Sequence, residues 1–222
     1  MKYVHLILPL LMALLVIWTG CEKEDSNLQT FIDSRDGNQY KMIEIGGRTW
    51  MAENLRYNAT GSYLNPNNQS ISYGRLYEWP TVMNGDSSST LNPSGVQGIC
   101  PDGWHLPSDE EWKNLEKSLG MSDQETNSIG WNGTDQGYQM KSTSDWDDNG
   151  NGNNASGFNA YPSGRHWNSY SSSYTYAWFW TSTEFSSTEA WYRYLHKNES
   201  QVYRSTLSKT AYAFSCRCVK DY

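Results

Sequence analysis

Cys21 is the residue whose surroundings most directly imply chemistry. It follows Lys2, an apolar run over residues 6–17 and the small pair Thr19 and Gly20. A basic start, a short apolar stretch and small residues ahead of a cleavage point are the parts of a secretory signal. The run is shorter than the roughly 20 residues that a membrane-crossing helix needs. The pattern predicts a signal peptide over residues 1–20, cut after Gly20, and lipid on Cys21, with Trp18 an unusual residue inside the lipobox. Acyl chains contribute about 0.8 kcal/mol per buried methylene, so a multiply acylated Cys21 would hold the chain firmly to a membrane.

Three more cysteines follow, Cys100, Cys216 and Cys218, and an extracytoplasmic setting favours pairing them. Cys216 and Cys218 stand two apart on one expected strand, with Cα atoms about 6.6 Å apart, a poor geometry for bridging each other. One of them therefore pairs with Cys100, and the spacing leaves open which.

Oxygen ligands alternate at Asp145, Asp147 and Asn149, followed by Gly150. This imitates the start of an EF-hand loop, in which alternate oxygens face a calcium ion and glycine permits the turn. Ser156 stands where a bidentate glutamate belongs. The same region carries Trp146, Tyr161, Trp167, Tyr170, Tyr174 and Tyr176 among Ser and Asn residues. Rings backed by amides and hydroxyls can stack on sugar faces and bond their hydroxyl groups, so these six are candidate ligand-binding residues. Catalytic signatures are missing: there is no Gly-x-Ser-x-Gly and no His-Glu-x-x-His, and His105, His166 and His196 are widely spaced. Asp109, Glu110 and Glu111 read as a negative first turn on a helix dipole. No catalytic residue is assigned.

The elements that must position these residues follow from pattern. Residues 39–45 alternate polar and apolar, Gly46 and Gly47 turn the chain, and residues 48–52 resume, which is a hairpin. A short helix is expected within residues 73–79. A longer one spans residues 109–119: Ser108 caps it, Glu111 completes a capping box, Gly120 ends it, and Trp112, Leu115 and Leu119 share a face. Ser122 and Glu125 repeat the box. Residues 145–154 are too polar and glycine-rich for a regular element. Strands are expected over residues 176–183, 190–196, 201–207 and 211–219, forming an antiparallel sheet, with Trp104 and Trp112 packed against them.

The chain has 222 residues, 11 Trp and 16 Tyr against 5 Phe, and a net charge of −7, with mean hydropathy −0.76 and pI near 5.1. Aliphatic residues are too scarce to form the core alone, so large rings must carry much of the burial, about 150–250 Å² each. The acidity, with no run of Lys or Arg, argues against nucleic acid as a partner.

Residues 31–37, 49–55, 73–77, 100–112, 157–160, 180–184 and 217–221 together resemble the Fibrobacter succinogenes major paralogous domain family of surface and secreted proteins. Residues 106–112 and 214–219 are also similar to formylglycine-generating enzymes and their relatives. That resemblance implies an α+β, C-type-lectin-like single domain with a twisted antiparallel sheet, one clear helix, long loops and both termini on one sheet. The paralogous family's pattern matches Cys218, implying a Cys100–Cys218 bridge and a spare Cys216. Glu22-Lys23-Glu24-Asp25 resembles the tag that exports Bacteroidota lipoproteins to the cell surface. The organisation expected is thus a signal peptide over 1–20, an acidic linker over 21–30 and one domain over 31–222. Three functions fit, in this order: a lipid-anchored surface or outer-membrane module binding glycan or another extracellular ligand, a structural surface protein, and a formylglycine-generating-type catalyst. The catalyst ranks last because the chain lacks that family's widely spaced cysteine pair.

Overall fold

A computed structural model describes Met1, residues 29–66 and residues 71–222. Residues 2–28, with all but Met1 of the expected signal peptide, Cys21 and Glu22-Lys23-Glu24-Asp25, lie outside the described residues. The chain opens with β1 (Gln29–Ile32), β2 (Gln39–Ile45) and β3 (Arg48–Met51). The expected hairpin joins β2 to β3, pairing Ile45 with Arg48 across Gly46 and Gly47. Both glycines have positive φ, 62° and 72°, as a two-residue turn of this hand requires. Next come β4 (Ser62–Tyr63), β5 (Leu76–Glu78) and α1 (Trp79–Met83). The helix expected within residues 73–79 is therefore displaced towards the C-terminus. Leu76–Glu78 instead pairs with a late strand, and helix begins only where Pro80 can stand in a first turn.

The middle of the chain holds β6 (Trp104–His105), α2 (Asp109–Ser118), α3 (Asp123–Asn127), β7 (Gly130–Asn132) and α4 (Gln136–Met140). Both capping boxes form: Ser108 Oγ accepts from the Glu111 amide and Ser122 Oγ from the Glu125 amide. Between the stretch expected as loop and the late strands, β8 (Arg165–Trp167) and β9 (Ser169–Ser171) make a small hairpin. The chain ends with β10 (Tyr176–Glu184), β11 (Glu189–His196), β12 (Val202–Ser208), β13 (Ala213–Ser215) and β14 (Val219–Lys220).

These strands form two sheets in an α+β arrangement. One has the order β1-β2-β3-β14-β6 and the other β4-β5-β13-β10-β11-β12-β7, with β8 attached to β13. Pairing is antiparallel except between β10 and β13. The expected strand over residues 211–219 is broken, because β13 belongs to the second sheet and β14 to the first. Cys216, Arg217 and Cys218 make the crossing, so the two cysteines do not share a strand. Hydrogen bonds from the Leu55 amide to Cys216 O and from the Met51 amide to Cys218 O hold it, each at 3.0 Å. The fully buried Arg217 donates to Asn54 Oδ1, to Met51 O, to Phe158 O and to Asn159 O. Burial lowers its pKa to about 9. Cys100 and Cys218 are disulfide-bonded and Cys216 is a free, buried thiol.

α2 lies where the two sheets meet. The Trp112 ring is 5.3 Å from Trp50 of β3 and 5.5 Å from both Phe158 and Phe179, the latter on β10. Trp104 stacks on Phe31 of β1 at 4.3 Å and lies in the same buried cluster as Trp178, Trp180 and Phe214 of the late strands. Ion pairs fix the polar side of α2. Arg193 of β11 reaches Asp109 at 2.7 Å and Glu116 at 2.6 Å, and Arg204 of β12 reaches Asp109 at 2.6 Å. Asp109 is thus more than a favourable charge on a helix dipole. His105 sits between Glu111 (Nε2, 2.8 Å) and Asp221 (Nδ1, 2.6 Å).

Replacing a buried Trp by Ala costs about 3–5 kcal/mol, so Trp112→Ala is expected to lower the unfolding free energy by that amount in urea titration. A loss below about 1 kcal/mol would show that α2 is not seated through this ring. Burial works against a charged His105, but the Glu111 and Asp221 carboxylates outweigh it and raise its pKa above the ordinary value. Protonation therefore favours the folded state: the contribution is complete below the unfolded value of about 6.5 and vanishes as pH rises through the folded one. The difference in urea midpoint between the parent and His105→Gln should accordingly shrink as pH is raised from below about 6.5, the reference value, to well above it. A difference that stays constant over that range would refute this linkage.

Candidate functional site: an aromatic face on the second sheet

Side chains two apart on a strand share a face. On β10 this aligns Tyr176, Trp178 and Trp180, and on β11 Tyr192, Tyr194 and His196. Register brings Trp178 opposite Tyr194, Tyr194 opposite Tyr203 of β12, and Tyr203 opposite Trp131 of β7. Trp180, Trp178 and Tyr192 are buried, whereas Tyr176, Tyr194, His196, Tyr203 and Trp131 are half-buried. The rings form one layer that passes from the core out to solvent.

Tyr194 and Tyr203 stack at 4.4 Å with their planes 21° apart. Trp131 is nearly perpendicular to both, at 5.0 and 5.1 Å. A ring that is perpendicular to a stacked pair and equally far from both members fits without overlap only when laid flat across their edges. One face of the Trp131 indole thus covers the pair and the other points away from it. Beyond Trp178, the Arg165 guanidinium lies over the Trp178 ring at 5.1 Å and the Tyr212 ring at 5.3 Å. Trp167, 50% exposed, is beside Tyr212 at 5.8 Å. From β13 to β7 is four inter-strand steps, roughly 19 Å at about 4.8 Å each. Two buried donors in this layer, Trp178 Nε1 and Arg165 Nε, have no hydrogen-bond partner among the described residues. Burial keeps the pKa of His196 below the ordinary histidine value, so the imidazole beside Tyr176 is neutral at neutral pH.

The six ring residues expected to bind ligand are separated by the fold. Trp167 and Tyr176 belong to the aromatic face. Tyr161 and Tyr174 flank Tyr73, at 5.8 and 6.0 Å. Tyr170 packs on His166, which itself stacks on Tyr63 at 3.9 Å. Trp146 is a core residue, 5% exposed, with Nε1 bonded to Ser142 Oγ and Ala160 O, and it is withdrawn as a ligand contact. The residues missed are Trp131, Arg165, Trp178, Tyr194, Tyr203 and Tyr212. The runs Tyr176-x-Trp178-x-Trp180 and Tyr192-x-Tyr194-x-His196 carried the signal, since each puts a row of rings on one face.

The calcium expectation at Asp145, Asp147 and Asn149 falls on a loop tied to Lys197, just beyond β11. Asp145, Asp148 and Asn149 have positive φ, and the backbone winds so that Asp148 pairs with Lys197. Ser156, at the twelfth place, donates to Gln139 O instead of facing the loop. Among the described residues, the group of three His, Cys, Asp or Glu ligand atoms that all lie within 4.8 Å of one another is the sulfurs of Cys100, Cys216 and Cys218. A separate polar cleft of about 860 Å³ is lined by Arg35, Tyr57, Thr81, Asn84, Asp86 and Gln97. Arg35 is already committed there to Asp33 at 2.7 Å and to Ile99 O at 2.8 Å.

No curated protein and no solved structure matches the chain. A family model does, over residues 43–220, from within β2 to the end of β14. With most of its length matched in this way, the chain belongs to the Fibrobacter succinogenes major domain family.

Proposed function

We propose that this protein is a lipid-anchored, outward-facing module of the outer membrane that binds glycan on the aromatic face of its second sheet, without catalysing a reaction on it. The observation that carries this reading is the half-buried Trp131 indole laid across Tyr194 and Tyr203 with its second face turned away from them. A flat, rigid ring is what a sugar ring stacks on, and tyrosine hydroxyls and a neutral His196 offer hydrogen bonds without requiring a charged ligand. The span of the face, roughly 19 Å by strand spacing, suits several linked sugar rings more than one small molecule. A C-type-lectin-like fold is part of the reading, supported by the likeness at residues 106–112 and 214–219 and by β1 and β14 lying in one sheet. Absence of catalysis is supported by His105, whose two ring nitrogens are both held by carboxylates.

Stacking and hydroxyl contacts give modest affinity, so micromolar to millimolar dissociation constants are expected, with dense display at a surface raising avidity. Residues 22–222, tested on a glycan array and by affinity electrophoresis, should bind at least one polysaccharide. Trp131→Ala should weaken that binding on the order of tenfold, about 1.4 kcal/mol, with little change in melting temperature, while Tyr170→Ala should leave binding unaltered. Binding that survives Trp131→Ala intact would move the ligand site elsewhere, and no binding to any polysaccharide would favour the structural surface reading.

The anchor is tested separately. Cys21→Ala should shift the chain from the membrane fraction to the soluble one and abolish incorporation of labelled fatty acid. Retention in the membrane at the parent level would overturn lipidation at Cys21.

A further inference from the structure

The three sulfurs at the crossing between the sheets form a group that the glycan-binding face does not use. Cys100, Cys216 and Cys218 are all fully buried, and Cys216 Sγ lies 3.9 Å from Cys218 Sγ. Each of the three sulfurs is within 4.8 Å of the others. One reading of a thiol beside a disulfide is exchange, but in-line displacement needs the three sulfurs in a row. A row would add an ordinary S–S bond of about 2 Å to the 3.9 Å gap and separate the outer pair by about 6 Å. The 4.8 Å limit places Cys216 to the side instead. The arrangement is a triangle.

A triangle of thiolates around one ion, with metal–sulfur bonds of about 2.3 Å, has edges of about 4.0 Å. The Cys216–Cys218 edge already has that length. We propose that, once the Cys100–Cys218 bond is reduced, these three cysteines form a binding site for a soft, three-coordinate monovalent cation of the copper(I) type. Thiolates select such ions. No fourth His, Cys, Asp or Glu ligand joins the group among the described residues, which disfavours zinc and its tetrahedral set.

Three thiolates on a monovalent cation carry a net charge of −2, which burial opposes and the fields of Arg35 and Arg217 favour. Arg217 is fully buried, and all its hydrogen bonds go to neutral oxygens of Asn54, Met51, Phe158 and Asn159. The field of Glu53 reaches Arg217, but among the described residues no carboxylate bonds its guanidinium, and an anionic cluster beside it would offset part of the cost of burying that cation. The chemistry balances with a dithiol reductant. Its two electrons and two protons convert the Cys100–Cys218 bond into two thiols while it closes to its own disulfide. The three thiol protons then pass to solvent as three sulfur–metal bonds form.

The test uses the full chain carrying Cys21→Ser, so that the three core cysteines are the remaining ones, with copper(I) supplied as its acetonitrile complex in competition with bicinchoninate under anaerobic conditions. The phosphine-reduced chain should retain one copper(I), show a thiolate-to-copper charge-transfer band in the near ultraviolet, and melt at a higher temperature than the metal-free reduced chain. The oxidised chain should retain none. Cys216→Ser leaves the disulfide partners intact and should lower the reduced chain's affinity by at least roughly tenfold, the loss that even outer partners of metal ligands produce. Equal retention by the oxidised chain, unchanged affinity in Cys216→Ser, or a reduced chain that neither binds copper(I) nor regains a melting transition with it would overturn the site. Tighter retention of zinc than of copper(I) would overturn the three-coordinate assignment.

Discussion

Arg193 and Arg204, on adjacent strands of the second sheet, both reach Asp109 at the start of α2, and Arg193 continues to Glu116 at its other end. This buried set of two guanidiniums and two carboxylates fixes both the place and the rotation of the helix. Its contribution to stability is a separate question: desolvating four charges offsets much of their attraction, while removing one partner would strand the others at a cost of about 3–5 kcal/mol. The set therefore acts mainly by selecting one arrangement. With α2 rotated this way, Trp112 must face inward onto Trp50, Phe158 and Phe179, and Glu111 must face His105.

A protein poor in aliphatic residues has to fill its core with rings, and rings bring shape with them. They pack edge to face or offset, so a ring layer extends as a continuous surface. Here the layer that begins at Trp180 and Phe214 continues through Trp178 to Tyr194, Tyr203 and Trp131 without a break. The same residues that close the core thus generate the exposed face. A binding surface built in this way is held rigid by its buried half, which reduces the ordering cost of association.

The crossing at residues 216–218 solves a different problem. Passing from one sheet to the other takes the backbone out of regular pairing, and buried backbone groups still need partners. Leu55 and Met51 supply amides to the crossing, while Arg217 turns back to satisfy carbonyl oxygens of Met51, Phe158 and Asn159. The disulfide from Cys218 to Cys100 ties the crossing to the segment that precedes β6. In the chain-entropy account, closing a loop of this size contributes on the order of 4–5 kcal/mol.

What could be read from residues alone was what is decided within a few positions of the chain. The Gly46-Gly47 turn, the alternation of β2, the boxes at Ser108 and Ser122 and the stop at Gly120 rest on backbone sterics and neighbouring hydrogen bonds, and each formed in place. A family pattern, a sequence property too, singled out Cys218 for the bridge where local geometry could not choose. Tertiary structure alone decided which rings meet. Trp146 and Trp167 occur in similar Asn- and Ser-rich surroundings, yet one is sealed over Ser142 and Ala160 and the other stands half exposed beside Tyr212. Trp131 reaches Tyr203 across a separation of some seventy residues through the β7–β12 pairing, and Arg193 and Arg204 find Asp109 across similar distances. Such contacts depend on strand order and on the burial of charge, and neither is encoded in the spacing of residues along the chain.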